Sequence, residues 1–254
     1  MNIYLGFDDT DDLDAPMGTG RLVRGFIRSL PEEYRAVGVV RHQHPRLEGI
    51  PFTSNNSSAC AIIEMDPDGS MDALRDLAVA HLRAHCAPGS DPGLCVAREA
   101  DVDAAMIRFG QEATGRRTTQ KAAMAVARGV ELLGLGGSND GVIGACAAVG
   151  LTRYGWCGRF IEYGALRSLG PELCVEDLTG AGIRVVSTDR DPAVPLPTDR
   201  MVDTHWMRPS LWAGGPVLQV RQVEPGVWQP AHGKPGKKHT PRQGGAVTPP
   251  CTAG

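Results

Sequence analysis

Gly6-Phe7-Asp8-Asp9-Thr10-Asp11-Asp12, with Asp14 close behind, places five carboxylates in seven consecutive positions. Like charges this close raise one another's pKa and cost stability unless a cation joins them. Hard oxygen donors suit magnesium, and magnesium commonly arrives with nucleotide phosphates. An acidic surface turn would not need five carboxylates. The apolar run Asn2-Ile3-Tyr4-Leu5-Gly6-Phe7 leads straight into them, as expected of a buried strand that delivers side chains to a site at its C-terminal end.

Thr19 follows eight residues after Asp11, inside Met17-Gly18-Thr19-Gly20, where a helix is predicted to start. Gly18 and Gly20 around a hydroxyl at a helix N-terminus expose backbone N–H groups that can hold a phosphate. The hydroxyl itself can accept a phosphoryl group or ligate a metal, although a threonine here could equally serve as an N-cap. Competing motifs are missing from the sequence. It has no GxxxxGK[ST] loop and no GxSxG elbow, and Gly134-Leu135-Gly136-Gly137-Ser138-Asn139 fails the GxGxxG pattern.

The elements around these residues follow from periodicity. Leu22, Val23, Phe26, Ile27 and Leu30 recur at helical spacing, with Arg21, Arg24 and Arg28 on the other face. Strands are expected at 36–41, 58–64, 94–97, 159–164, 182–188 and 215–223. A helix capped by Ser70 is expected at 70–85, and an Ala-rich helical stretch from Asp101 to about Leu133, broken near Gly115. The glycine-rich loop 134–141 then leads into a helix of small residues. This mixed order indicates an α/β (α+β) protein of two lobes, with a boundary near residue 130.

Composition sets the outer limits. The 254 residues are 42% hydrophobic and 22% charged, enough apolar material for one large or two small domains, with a formal net charge of −3. The acidic N-terminus and the lack of a long apolar run lead to the expectation of a cytoplasmic protein. Seven cysteines without a CxxC pair are expected as reduced thiols, which argues against a zinc ribbon. His42 and His44 would share one side of a strand, with no third metal ligand in view. From Gly226 onward the chain has no acids and four bases, Lys234, Lys237, Lys238 and Arg242, among many Pro and Gly; it is expected to be a flexible, solvated tail.

At these residues the sequence resembles the archaeal isoleucine-tRNA agmatinylcytidine synthetases. Gly6, Asp8, Asp9, Thr10, Asp11, Met17 and Thr19 match the family's opening motif, with Gly18 in place of its Cys. Three later blocks resemble the family in order: Ile50-Pro51-Phe52 through Ala59, Asp91-Pro92-Gly93, and Gly141 through Gly150. The resemblance implies a kinase-like catalytic domain at 1–130 and a ferredoxin-like domain at 131–225, with the tail at 226–254. It implies ATP and magnesium as cofactors, with Asp8, Asp9 and Asp11 at the metal and Thr19 phosphorylated or touching phosphate. Thr10, Gly18, Gly20, Asn55, Asn56, Ser58 and Gly141 would surround the ATP phosphates and the pocket.

Family members phosphorylate an anticodon cytidine and let agmatine displace the phosphate. The family's OB-fold and zinc ribbon have no counterpart in this sequence. Its basic loop is replaced by Thr53-Ser54-Asn55-Asn56-Ser57-Ser58, and Ser138-Asn139-Asp140 stands where it carries basic and glycine residues. These differences lead to the expectation of an ATP-dependent C–N ligase acting on a small-molecule acceptor and an amine. Two alternatives are a minimal tRNA-cytidine agmatine ligase that relies on a partner, and a nucleotide-binding regulator without turnover.

Overall fold

A computed structural model describes residues 1–50, 53, 55–188 and 193–232. Pro51, Phe52 and Ser54 of the second block, and the tail bases Lys234, Lys237, Lys238 and Arg242, lie outside the described residues. Contacts divide the chain into two units: Met1–Gly164 with Leu211–Gly214, and the remainder.

The first unit is built on an antiparallel sheet of β1 (Asn2–Asp8), β2 (Tyr34–Gln43), β3 (Ser57–Met65), β4 (Gly93–Arg98), β5 (Glu131–Gly134) and β6 (Arg159–Tyr163). They lie in the order β5-β4-β1-β3-β2-β6. Five helices accompany them: α1 (Thr19–Arg28), α2 (Met71–His85), α3 (Ala104–Ala113), α4 (Gln120–Val126) and α5 (Gly141–Tyr154). Ser70 caps α2 by accepting the Ala73 amide, as its sequence predicts.

β1 is central and buried on both faces, so its apolar run is continuous rather than alternating. Parity then sorts its side chains. Ile3, Leu5 and Phe7 join Leu22, Val23 and Phe26 of α1 and Leu74, Ala78 and Leu82 of α2 in one core. Tyr4 joins Met106 and Phe109 of α3 and the small residues of α5 in the other. Gly6 and Asp8 share the parity of Tyr4. Gly6 is required there: a Cβ would overlap the Ala145 carbonyl oxygen of α5.

In the second unit, β11 (Gly215–Glu224) pairs in parallel with β8 (Arg184–Ser187) and antiparallel with β12 (Val227–Pro230). β9 (Arg200–Met201) joins β12 in parallel and β7 (Leu173–Cys174) antiparallel, and α6 (Val175–Gly180) follows β7 directly. Within the first unit, the Leu211 amide of the short strand β10 (Ser210–Trp212) donates to the Gly158 carbonyl at 3.0 Å.

Four expectations need correction. The boundary near residue 130 moves to Gly164, because β5 pairs with β4 and α5 packs on β1, tying 131–164 to the first sheet. The Ala-rich stretch ends at Val126, and Glu131–Gly134 is a strand whose leucines pair with Leu94 and Cys95. The tail begins with a strand rather than solvated coil, because Trp228 is fully buried and its Nε1 donates to Asp199 Oδ2 at 2.7 Å. Cys60, Cys86, Cys95, Cys146 and Cys157 are free thiols, but Cys174 is disulfide-bonded, which spacing alone does not reveal. No described helix is long and apolar enough to cross a membrane.

Candidate active site

The C-terminal end of β1 opens into a cavity of about 620 Å³ whose lining lies wholly in the first unit. Asp8, Asp9, Asp11, Asp12, Thr19, Asn55 and Asn56 line it, as do His44, Asp91, Asp140, Arg116 and Arg117. Close packing of α5 aims the first carboxylate. A Cβ on Gly144 would overlap the Asp8 carboxylate, so the bare helix surface at Gly144 makes the space that Asp8 occupies. Asp9 follows with φ +53, a left-handed conformation that Asp tolerates and that turns the chain abruptly out of the strand.

The three leading acids share an electrostatic predicament. Burial pushes the Asp8 carboxyl up to about 8, with Asp9 and Asp11 adding to the rise and the Asp9 amide opposing it. Asp9 is raised to about 6 by burial and then by Asp91, Asp11 and Asp140, while the Asp91 amide donates to it. Asp11 is raised by burial, against a 3.2 Å hydrogen bond from Thr53 Oγ1. Clustered, desolvated carboxylates of this kind mark functional sites more often than surface turns.

The remaining two acids of the run behave differently. Asp12 accepts the Asp14 amide at 3.1 Å through Oδ1 and the Gly89 amide at 3.3 Å through Oδ2, bracing two loops at the cavity rim. Asp14 is exposed and does not line the cavity.

Thr19 is the first residue of α1 rather than its cap, a place taken by Gly18. Its side chain is buried, and Thr10 Oγ1 donates to Thr19 Oγ1 at 3.0 Å, which leaves the Thr19 proton for another acceptor. As first-turn positions, Thr19 and Gly20 have amides without an intrahelical acceptor. A Cβ on Gly18 would sit 3.1 Å from Asp11 Oδ2, so Gly18 gives Asp11 its room.

Not every expected pocket residue reaches the cavity. Gly20 packs on Ile161, and Gly141 packs against Asp91 and Gly93, where a Cβ would overlap backbone atoms; neither lines it. Ser58 is fully buried behind it and bonds to His44 Nε2 at 2.7 Å. Asn56 does line the cavity, but its Nδ2 donates to the Pro45 carbonyl at 2.8 Å, while Asn55 Oδ1 accepts from Arg46 at 3.1 Å.

Four charged residues on the cavity wall have no assigned role in the sequence reading: Asp91, Asp140, Arg116 and Arg117. The two acids lie far from Asp9 in sequence and reach it through packing of the loop before β4 against the start of α5, where the Gly141 amide donates to the Asp91 carbonyl at 3.1 Å. Burial lowers the pKa of His44, against its Nδ1 hydrogen bond to the Ala113 carbonyl at 3.2 Å, and its Nε2 bonds to Ser58 Oγ at 2.7 Å. His42 shares that face as expected, but its ring is fully buried against Thr152 and does not touch the cavity.

No protein-family model and no curated protein matches the chain. Among solved structures, apo TiaS, an agmatidine synthetase for an isoleucine tRNA, is 22% identical with a TM-score of 0.50, over 59% of this chain and 35% of its own. The complex of TiaS with that tRNA and ATP is 23% identical with a TM-score of 0.51, over 59% and 36%. Its complex with the tRNA, AMPCPP and agmatine is 22% identical with a TM-score of 0.50, over 59% and 36%. The chain spans about a third of the length of these structures. At such identity the likeness is one of fold: over 59% of its length, this mixed α/β chain with its large sheet is similar to TiaS, the family that its DDTD motif resembles.

Proposed function

We propose that the first unit catalyses ATP-dependent formation of a C–N bond, phosphorylating an amide-like oxygen of its acceptor and then joining an amine at the activated carbon. The observation that carries this reading is the cluster of Asp8, Asp9 and Asp11, raised in pKa by burial and mutual repulsion and facing one cavity with Thr19. Magnesium fits this donor set, since a divalent cation would relieve the repulsion that raises those carboxyls. Among the described residues no group of three or more Asp, Glu, His or Cys side chains is placed to hold a metal ion together. That suits an ion which keeps waters and takes phosphate oxygens beside one or two carboxylates. One or two of Asp8, Asp9 and Asp11 would hold the ion, which would neutralise phosphate charge when bound.

The chain's own residues supply position and polarity. Asp12 fixes the loop that carries Asp11, and Gly144 fixes Asp8. Thr19, polarised by Thr10, offers its hydroxyl to a phosphate at the N-terminus of α1. For the acceptor we favour a cytidine of tRNA, with an agmatine-like amine, because the TiaS complexes hold tRNA, an ATP analogue and agmatine in a similar fold. A small-molecule acceptor is the second reading. It is favoured by the cavity lining, where six carboxylates face two guanidinium groups, a balance that opposes a polyanion.

Calorimetric titration of ATP with magnesium, with a nucleotide product assay on the same sample, tests the chemistry. Binding with release of AMP or ADP, lost in Asp9→Asn, is the expected result. Binding without turnover would instead identify a nucleotide-binding regulator, and no binding at millimolar ATP would end the proposal. A gel shift with isoleucine tRNA, its affinity falling steeply with salt, would select the tRNA acceptor over a small molecule.

A further inference from the structure

The cavity has a cationic wall as well as an acidic one. Its lining carries six carboxylates, Asp8, Asp9, Asp11, Asp12, Asp91 and Asp140, and two cations, Arg116 and Arg117, both from the loop between α3 and α4. Both ends of that loop are pinned. The amides of Gly115 and Arg116 donate to the Glu112 carbonyl at 3.0 Å each, closing α3. Thr119 caps α4, and Gln120 Nε2 donates to Asp140 Oδ1 at 2.6 Å and to the Ser138 carbonyl at 2.9 Å, tying the loop to the start of α5.

The two arginines are differently engaged. Arg116 pairs with Glu112 at 2.7 Å on its own helix. Arg117 makes no ion pair with any described residue, although six carboxylates line the same cavity. Its Nη1 lies 3.6 Å from the place a Cβ would take on Gly49, so the guanidinium reaches across to the loop between β2 and β3. A guanidinium on the wall of an acid-lined cavity can pair with those acids or with the anionic group of a ligand. This one is held apart from them across a space of substrate size. A ligand that fits must be anionic at the arginine and bring a cation to the acids, and a magnesium-bound phosphate is both.

We propose that Arg117 is the phosphate-binding cation of this site, contacting the nucleotide's phosphate chain from the α3–α4 loop while the acids of the β1 end hold the metal side. This assignment rests on the ATP-dependent reading given above. Arg117 forms a charge-assisted hydrogen bond to a phosphate oxygen, and a planar guanidinium can do so through two N–H groups where an ammonium offers a point charge.

The experiment is titration of magnesium-ATP into the full chain for wild type, Arg117→Gln, Arg117→Lys and Arg116→Gln, at low and high salt, with thermal melting of each. Arg117→Gln is expected to melt with wild type, since the side chain is exposed, and to bind ATP at least about tenfold more weakly, in line with loss of one hydrogen bond to a charged group. Arg117→Lys should recover part of that loss. Arg116→Gln should cost less than Arg117→Gln. The salt dependence of ATP binding should be shallower in Arg117→Gln, because one screened contact is gone. Wild-type binding of ATP with Arg117→Gln within twofold of it overturns the Arg117 assignment and leaves the ATP reading standing. A wild type that binds no ATP overturns both.

Discussion

The two faces of the first sheet use the same central strand for opposite ends. On one, Ile3, Leu5 and Phe7 meet Leu22, Phe26, Leu74 and Leu82, large side chains that keep the helices at ordinary packing distance. On the other, α5 presents Gly144, Ala145, Ala147 and Ala148, and its backbone comes so near that Gly6 cannot carry a Cβ. The first face is devoted to apolar burial. The second gives up side-chain volume so that a helix start can crowd Asp8 and bring Asp91 and Asp140 beside Asp9. Within β1 itself the odd positions Ile3, Leu5 and Phe7 serve the large-residue core, while the even positions Gly6 and Asp8 lie against α5.

That separation is breakable from either side. Phe26→Ala removes a fully buried ring from the first face, and a cost of about 3 to 5 kcal/mol is expected from chemical denaturation. Because that ring packs on Phe7 and His81, neither of which lines the cavity, the nucleotide affinity of the surviving folded fraction should stay close to wild type. An equal loss of affinity would show that the faces are not independent. Asp8→Asn probes the second face. Catalysis by positioning and charge neutralisation should drop on the order of 10²-fold or more in a product assay, while the fold is retained or gains stability.

The gain has a definite pH window. Asp8, at about 8 in the folded protein, keeps its proton where an unfolded aspartate has lost it, so from about pH 4 upward folding is opposed more strongly as pH rises, fully so above 8. His42 acts in the other direction. Burial lowers its pKa to about 3, so stability falls as pH drops below the ordinary histidine value near 6.5. Between about pH 6.5 and 8 the acid effect stands clear of the histidine. Wild-type melting temperature in metal-free buffer should therefore fall across that interval, and Asp8→Asn should flatten the slope. A wild-type curve already flat there would mean that Asp8 is ionised in the free protein.

What the sequence made legible follows the same division. The strand, acidic turn and helix from Asn2 to Arg28 could be read directly because local hydrophobic spacing and a run of acids both lie within this one short stretch. The second face was harder to read. An alanine-rich window suits helix and tight packing alike, so it hid the end of α4 and the strand at Glu131–Gly134. Asp91 stands in a block that resembles the family but has no assigned role there, and Asp140 and Arg117 carry no local motif; tertiary packing brings all three to the cavity that Asp9 lines. Two glycines have a packing role that the sequence does not display. Gly20 and Gly141 suggested phosphate loops, whereas their missing side chains serve close packing against Ile161 and Asp91.

The smallest expected effect is the sharpest test of how the acidic run is divided. Its five carboxylates look alike in sequence, yet Asp8, Asp9 and Asp11 face the cavity with raised pKa values, Asp12 braces loop amides, and Asp14 is exposed. Asp14→Asn should change stability by less than about 0.5 kcal/mol, the usual range for an exposed site, and leave ATP turnover within about twofold. Asp12→Ala should instead cost about 1 kcal/mol in denaturant unfolding, since two loop amides lose their acceptor, and should lower turnover modestly as the loop carrying Asp11 loosens. If Asp14→Asn proved as damaging as Asp8→Asn, the run would act as one diffuse negative field rather than through carboxylates aimed at the cavity. The parity of β1 would then have no bearing on the chemistry.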